Sequence, residues 1–325
     1  MIQRRQFVSA ICLASCLTPG RGSAQTYPTR PITWIVPWAA GGSADFATRI
    51  IGAELAKVLG QSVAIENIGG GGGVVGMNKA AAAPADGHTL YYGGTELFVP
   101  AMTNPKITNV WSKQFRPVAR LLTNPLILAT RANAPYSTLD EFTAYAKKNP
   151  GRVTYGSPGI ATGQHMVGEM MRERANLALV HIPYRGGAQI VTDLIGGTIE
   201  CAFLIGSTAL PHLKSGKLKG IAIAEPLRHS VFPSVPTFNE NRTYGGLVLN
   251  PFGAVMVPAA TPDAAIQTLS DALGKVMLNE GIRTQLGESA AQIKYLRHTE
   301  MASFMKDEVA KYKRIIDFAK IKVNE

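Results

Sequence analysis

The 325-residue sequence is poor in cysteine, with only Cys12, Cys16 and Cys201. Cys12 and Cys16 fall within residues 1–24, which read as a removable export signal, so the mature chain keeps Cys201 alone and can close no internal disulfide. Stability must then come from a hydrophobic core, and about 300 residues are enough to build one, more naturally as two lobes than one. Long apolar runs are also missing: the run over 7–17 is too short to span a bilayer, and no later stretch is long enough. There is no run of five or more like charges and no basic patch interleaved with aromatics, which argues against a nucleic-acid partner. The six histidines, at 88, 165, 181, 212, 229 and 298, are too dispersed for a metal set, and no cysteine pair joins them. Gly156-Ser157-Pro158-Gly159 lacks the G-x-S-x-G spacing of a nucleophile elbow, and nothing arranges His165 and Asp193 around Ser157 as a triad. These absences point to a binding protein rather than an enzyme, with no metal or cofactor.

What is present begins with the signal itself. Arg4 and Arg5 lead the apolar run, and Gly22-Ser23-Ala24 offers a small-residue cleavage site before Gln25, which predicts export. Arg4-Arg5-Gln6-Phe7 is similar to a twin-arginine signal and Leu13-Ala14-Ser15-Cys16 to a loose lipobox, so both routes stand beside ordinary secretion. Removal of Arg4, Arg5 and Arg21, with no acid lost, takes the formal charge from +11 to +8. The remaining excess is scattered; it either makes a mild field that gathers small anions or serves solubility alone.

Residues 32–60 carry a complete strand, loop and helix. Ile32, Trp34, Ile35 and Val36 form an apolar strand that Pro37 stops, residues 38–42 make an uncrowded turn, and Ser43 stands at the expected N-cap. Phe46, Ile50, Ile51, Leu55, Val58 and Leu59 form one apolar stripe, ended by Gly60. The first helical turn thus presents free N–H groups and the positive end of the helix dipole at a strand's carboxyl end, an anion seat made of main chain. The alternation continues with strands at 63–66 and 88–92 and a helix near 75–83, the pattern of a parallel α/β sheet. An extended segment over 118–130, broken by Pro125, reads as a crossing; a helix over 139–147 follows, and the grammar then restarts with strands at 153–155, 178–182 and 198–205. A strand over 218–224, a second crossing over 247–257 and amphipathic helices over 264–278 and 299–321 complete the chain, the helices expected as peripheral packing. Two crossings predict a hinge.

The stretches PWAAGGSADFATR, GQSVAIENIGGGGGVVG, APADGHTL, YGSPGIATGQHM and HIPYRGGAQIVTDLIGGTIE resemble, in order and spacing, the solute-binding receptors of tripartite tricarboxylate transporters, the Bug family, over essentially the whole mature chain. The resemblance implies an α/β, two-lobed periplasmic binding protein, a type II-like Venus flytrap with doubly wound sheets and a hinge. It would close on a small dicarboxylic, tricarboxylic or aromatic acid and serve, as a monomer, the membrane components of a transporter. Lobe 1 would span 25–124, with about 216–298 returning to it, lobe 2 would span 125–215, and a helix over 299–325 would pack on both. Carried over by position, the first-lobe contacts would be Trp38, Gly41, Gly42, Ser43, Ala44 and Asp45, with Ser43 either a cap or a ligand contact and Asp45 either a helix-start charge or a water-mediated one. The second lobe would contribute Gly156, Ser157, Ala161, Thr162, Gly163 and His165, with Thr162 as N-cap, and then Tyr184, Gly187, Ala188 and Gln189, with Asp193 more a support for its helix than a contact. Neutral His165 would donate to a carboxylate and charged His165 would attract it.

Two features depart from the family pattern. Glu96 stands where these receptors have small polar residues, and it either faces the cleft and repels a second carboxylate or points away. Trp38 and Phe252 form either an aromatic wall suited to a ring-bearing acid or part of the core. The competing reading is a Rossmann-like dinucleotide-binding enzyme, since Gly71 to Gly76 satisfies G-x-G-x-x-G with Glu96 20 residues further on.

Overall fold

The computed structural model describes residues 27–104, 106–107 and 111–321. The export-signal reading of 1–24, with Cys12 and Cys16, lies outside the described residues.

The chain opens as expected with β1 (Ile32–Val36) and α1 (Ser43–Leu59), followed by β2 (Val63–Asn67), α2 (Val74–Ala81) and β3 (Thr89–Gly93). Ala44, Ala47, Ile51 and Leu55 bury one face of α1, and Gly52 brings the helix close over Ile65 and Val63. Gly60 ends it with φ +69°, its N–H donating to Ala56 O. Phe46, expected on the buried stripe, is instead 43 % exposed. Two short helices, α3 (Val99–Thr103) and α4 (Trp111–Gln114), precede β4 (Phe115–Thr123).

The chain then crosses at Asn124-Pro125 into a second unit: β5 (Leu126–Arg131), α5 (Leu139–Lys148), β6 (Thr154–Ser157), α6 (Gly163–Ala175), β7 (Val180–Pro183), α7 (Gly187–Gly196), β8 (Cys201–Ile205), α8 (Gly206–Lys214) and β9 (Leu218–Ile223). It returns through β10 (Phe252–Pro258), α9 (Asp263–Leu278), α10 (Glu280–Glu288), β11 (Gln292–Arg297) and α11 (His298–Ala319).

The strands form a six-stranded sheet ordered β11-β4-β10-β3-β1-β2 and a five-stranded sheet ordered β7-β6-β8-β5-β9. Both sheets share one plan: three parallel strands (β2-β1-β3 and β7-β6-β8) meet an antiparallel strand from a crossing (β10 beside β3, β5 beside β8). The sheets are therefore mixed rather than wholly parallel. Return to the first lobe was expected near 216, but β9 pairs with β5 in the second sheet, so the chain re-enters the first sheet only at β10.

The two crossings lie together. Asn124 N–H donates to Pro251 O at 2.9 Å, and Gly206 N–H donates to Pro125 O at 2.9 Å. The last helix is more than peripheral. Met301, Met305 and Tyr312 of α11 are buried in a core cluster that also contains Tyr91 of the first sheet and Tyr155 and Phe203 of the second. Arg120 lies over Phe304 near the start of α11, while Lys320 just beyond it pairs with Glu173 of α6 at 3.1 Å. The helix thus fastens both lobes together.

Candidate functional site

The parallel strands of each sheet end at one cleft of about 1110 Å³ between the lobes, just above the range of roughly 300–1,000 Å³ usual for small-molecule sites. Its first-lobe wall comprises the turn after β1, the start of α1, Gly94 to Glu96 after β3, and Phe252. Its second-lobe wall comprises Thr162 and Gln164, Arg185 to Gln189, and Ser207 and Thr208. Asn124 contributes from the crossing, and Gln285, Glu288 and Ser289 from the end of α10.

Four helices therefore begin at the cleft. In α1 the N-cap is Gly42, one residue before the expected Ser43, and no side chain caps the helix. Ser43 and Ala44 keep free N–H groups, because the first backbone bond of the helix runs from Phe46 N–H to Gly42 O. Helix α7 starts on Gly186 and α8 on Ile205, again without a side-chain cap. By contrast α6 is capped: Thr162 Oγ1 accepts from His165 N–H at 3.4 Å. Unsatisfied donors and the positive ends of α1, α7 and α8 thus share one cavity, an arrangement that favours an anion.

Side chains sharpen this. Ser207 lines the cleft, and its buried Oγ has no hydrogen-bond partner among the described residues. Among the described residues Arg185 is the only lysine or arginine lining the cleft; it is exposed and makes no ion pair with any of them. The sequence reading missed both. The signal for Ser207 was available: Gly206-Ser207-Thr208 follows β8 as Gly42-Ser43 follows β1.

Of the residues expected at the site, Trp38, Gly41, Gly42, Ser43, Ala44, Glu96, Thr162, Gly187, Ala188, Gln189 and Phe252 line the cleft. Asp45, Gly156, Ser157, Ala161, Gly163, His165, Tyr184 and Asp193 stand behind the lining. Asp45 turns back to its own loop, where it accepts from Gly41 N–H at 2.9 Å and pairs with Arg49 at 2.9 Å. Burial alone would raise its pKa, but bonds from Arg49, Gly41 and Asn67 outweigh that and hold it below the usual carboxylate range. The Tyr184 hydroxyl donates to Asp193 at 2.7 Å, which supports the turn into α7. Gly156 packs against Ile199 and Ile190, and Gly163 against Pro251.

His165 stands back from the cleft lining and is held by its own loop. Its Nδ1 accepts from Ala161 N–H at 3.2 Å, and its ring stacks 4.3 Å from that of His181, which shares a 2.6 Å hydrogen bond with Ser157. Burial and the nearby Arg172 push His165 down to about 4, so it is neutral and braces the loop at Ala161, where φ is +64°. Ser157 itself is fully buried and cannot reach the cleft.

Glu96 lines the cleft yet is only 4 % exposed. One carboxylate oxygen accepts from Gly94 N–H at 2.6 Å and from the Tyr91 hydroxyl at 3.0 Å. Burial lifts the group to about 7 against these lowering bonds. Trp38 is half-buried in the wall, whereas Phe252 is buried, stacked on Phe98 and edge-on to Phe304. Phe252 is therefore core and wall together.

The dinucleotide reading finds no support. The glycines at 70–73 all have positive φ and form a tight turn, and none of the residues from Gly69 to Gly76 lines the cleft. The loop instead abuts the other lobe: a Cβ on Gly72 would stand 3.1 Å from Ile160 O. On the other side Gly186 faces Ala39, so the lobes touch at two lips. Among the described residues there is no cluster of metal-ligating side chains, and no helix is long and apolar enough to cross a membrane.

A family model described as tripartite tricarboxylate transporter family receptor matches residues 47–321. Protein BugT of Bordetella pertussis is 31 % identical over 296 residues, covering 90 % of this chain and 90 % of the relative. A solved structure described as a periplasmic transporter superposes with a TM-score of 0.87 at 30 % identity, over 92 % of this chain and all of the other. MatC of Rhodopseudomonas palustris, solved with bound malate, gives 0.83 at 27 % identity, over 89 % of this chain and 100 % of the other. The chain belongs to the Bug family, the receptors of tripartite tricarboxylate transporters.

Proposed function

We propose that this protein is a periplasmic solute receptor that captures a small carboxylate between its lobes and delivers it to the membrane components of a tripartite transporter, acting as a monomer. The observation that carries the reading is the convergence of the uncapped starts of α1, α7 and α8, from both lobes, on one cleft. A carboxylate there takes N–H donors from opposing halves, so it gains more contacts in the closed state than in the open one and shifts the population toward closure. The lips at Gly72–Ile160 and Ala39–Gly186 are where closing lobes meet. The malate bound by MatC is consistent with a carboxylate ligand. The aromatic lining of Trp38, Phe46, Tyr92, Phe203 and Phe252 extends the acceptable ligands to ring-bearing acids.

Trp38 supplies the test. Titration of the purified protein with dicarboxylic, tricarboxylic and aromatic acids should change tryptophan fluorescence at micromolar concentration, on the order of −8 kcal/mol. The change should vanish in Trp38→Phe while calorimetric binding persists. Binding restricted to sugars or cationic solutes would reject the reading.

A further inference from the structure

Glu96 is the feature of the cleft that a carboxylate receptor does not explain. It is an acid in the wall of a site built for acids, and one of two acidic residues in the lining; the other, Glu288, is solvent-exposed at the end of α10. The conformation of Glu96 is held from several sides. Oε1 accepts from Gly94 N–H and the Tyr91 hydroxyl, a Cβ on Gly73 would come within 2.8 Å of Glu96 Cγ, and one on Gly94 within 2.9 Å of Oε2. The absence of a Cβ at these two glycines leaves space that this side chain occupies. No lysine, arginine or histidine pairs with it among the described residues, and none of the other described residues donates a hydrogen bond to Oε2. A ligand that fills the cleft and shuts water away from this carboxyl must donate to it or leave it unsatisfied, which is unfavourable.

We propose that Glu96 determines specificity: its free oxygen accepts a hydrogen bond from a donor at the far end of the ligand, so the preferred solute is a carboxylate that also carries a hydroxyl, ammonium or amide N–H, and a second carboxylate is disfavoured. The proposal rests on the carboxylate-receptor reading. The ligand's carboxylate occupies the helix starts, and its donor end reaches the strand end of the first lobe beside Thr95. A second carboxylate at that end meets an acid that can offer it at most one proton, and repels it when ionised. A hydroxyl or ammonium instead satisfies Oε2, and a site built around such a bond rejects analogues that lack the donor.

The test compares matched acids of one length by isothermal titration calorimetry at pH 8. The sets are adipate, 6-hydroxyhexanoate and 6-aminohexanoate; succinate, 4-hydroxybutanoate and 4-aminobutanoate; and terephthalate with 4-hydroxybenzoate. In whichever set binds, the donor-bearing acid should bind the wild-type protein about tenfold or more tightly than its diacid. Glu96→Gln, which keeps an oxygen for Gly94 and Tyr91, should narrow that ratio severalfold by improving the diacid. The wild-type ratio stands without the variant. A diacid that binds the wild-type protein as tightly as its donor-bearing partner, or a ratio unchanged in Glu96→Gln, overturns the proposal and leaves the receptor reading intact. Silence from every acid overturns both.

Discussion

Glu96 also sets a pH dependence. The titratable groups that face it are Tyr91, Tyr92 and Tyr312, none of which can offset its charge, so burial dominates and holds the carboxyl near 7. Between pH 4.5 and 7 the native state keeps a proton that the unfolded chain releases, so stability falls as pH rises through that window, by on the order of 3 kcal/mol. Glu96→Gln should accordingly melt several degrees above the wild-type protein at pH 8 and converge with it near pH 5; thermal melts at the two pH values check this, and an equal gap at both contradicts it. Two histidines, His165 buried and His181 half-buried, work in the opposite direction. His165 and His181 are held down to about 4 and about 3, chiefly by burial, so stability falls as pH drops below 6.5 and the unfolded chain takes up protons that the native state refuses. Ser207→Ala should weaken carboxylate binding about fivefold and leave the melting temperature nearly unchanged, since its hydroxyl bonds nothing among the described residues. Arg185→Gln should lower the association rate and flatten its salt dependence with little effect on melting, because the side chain is exposed and unpaired.

Among the elements, the glycine turn at 70–73 has a physical purpose that its motif spacing concealed. It joins β2 to α2, and it puts bare backbone against Ile160 of the other lobe. Gly72→Ala introduces a Cβ 3.1 Å from Ile160 O at a position with φ +62°, so it both strains the turn and props the lip. It should weaken ligand binding at least severalfold while a truncated fluorescence response reports incomplete closure; unchanged affinity would remove the lip from the closing motion. The strands and helices around this turn were legible because apolar period and glycine stops agree there, as in β1 and α1. The exceptions have local causes. Ser43 is a good cap by type, but Gly42 takes the cap position and Asp45 satisfies Gly41 instead. Helix α8 was missed because it follows β8 with no intervening turn residues and carries Pro211 in its interior. Helix α10 and β11 were missed because their buried side chains, such as Ile282 and Leu286, are too few to mark a period. The stacking of His181 on the histidine sixteen residues before it, at 165, leaves no signal in the sequence.

For the whole molecule, the sequence pattern indicated two α/β lobes, two crossings and a division at 124/125, but it put the return too early, near 216, and did not show how the lobes are joined behind the cleft. Strand β9 has the same apolar character in either sheet, and only its pairing with β5 assigns it to the second. Helix α11, amphipathic and terminal, looked like packing but bridges the lobes from Phe304 to Lys320. In the proposed closure the lobes would turn about the Asn124–Pro251 crossing, with α11 as a brace at the back. Saturating carboxylate should reduce the radius of gyration in solution scattering by a small but reproducible amount, and a ligand that binds without compaction would contradict a closing mechanism. The central claim is that main-chain donors from both lobes hold one carboxylate. A crystal structure of the protein with its tightest-binding acid tests it most directly. The account predicts carboxylate oxygens within hydrogen-bond distance of N–H groups at Ser43 or Ala44 on one side and at Gly187, Ala188 or Ser207 on the other; a carboxylate held by one lobe alone, or seated away from these helix starts, would contradict it.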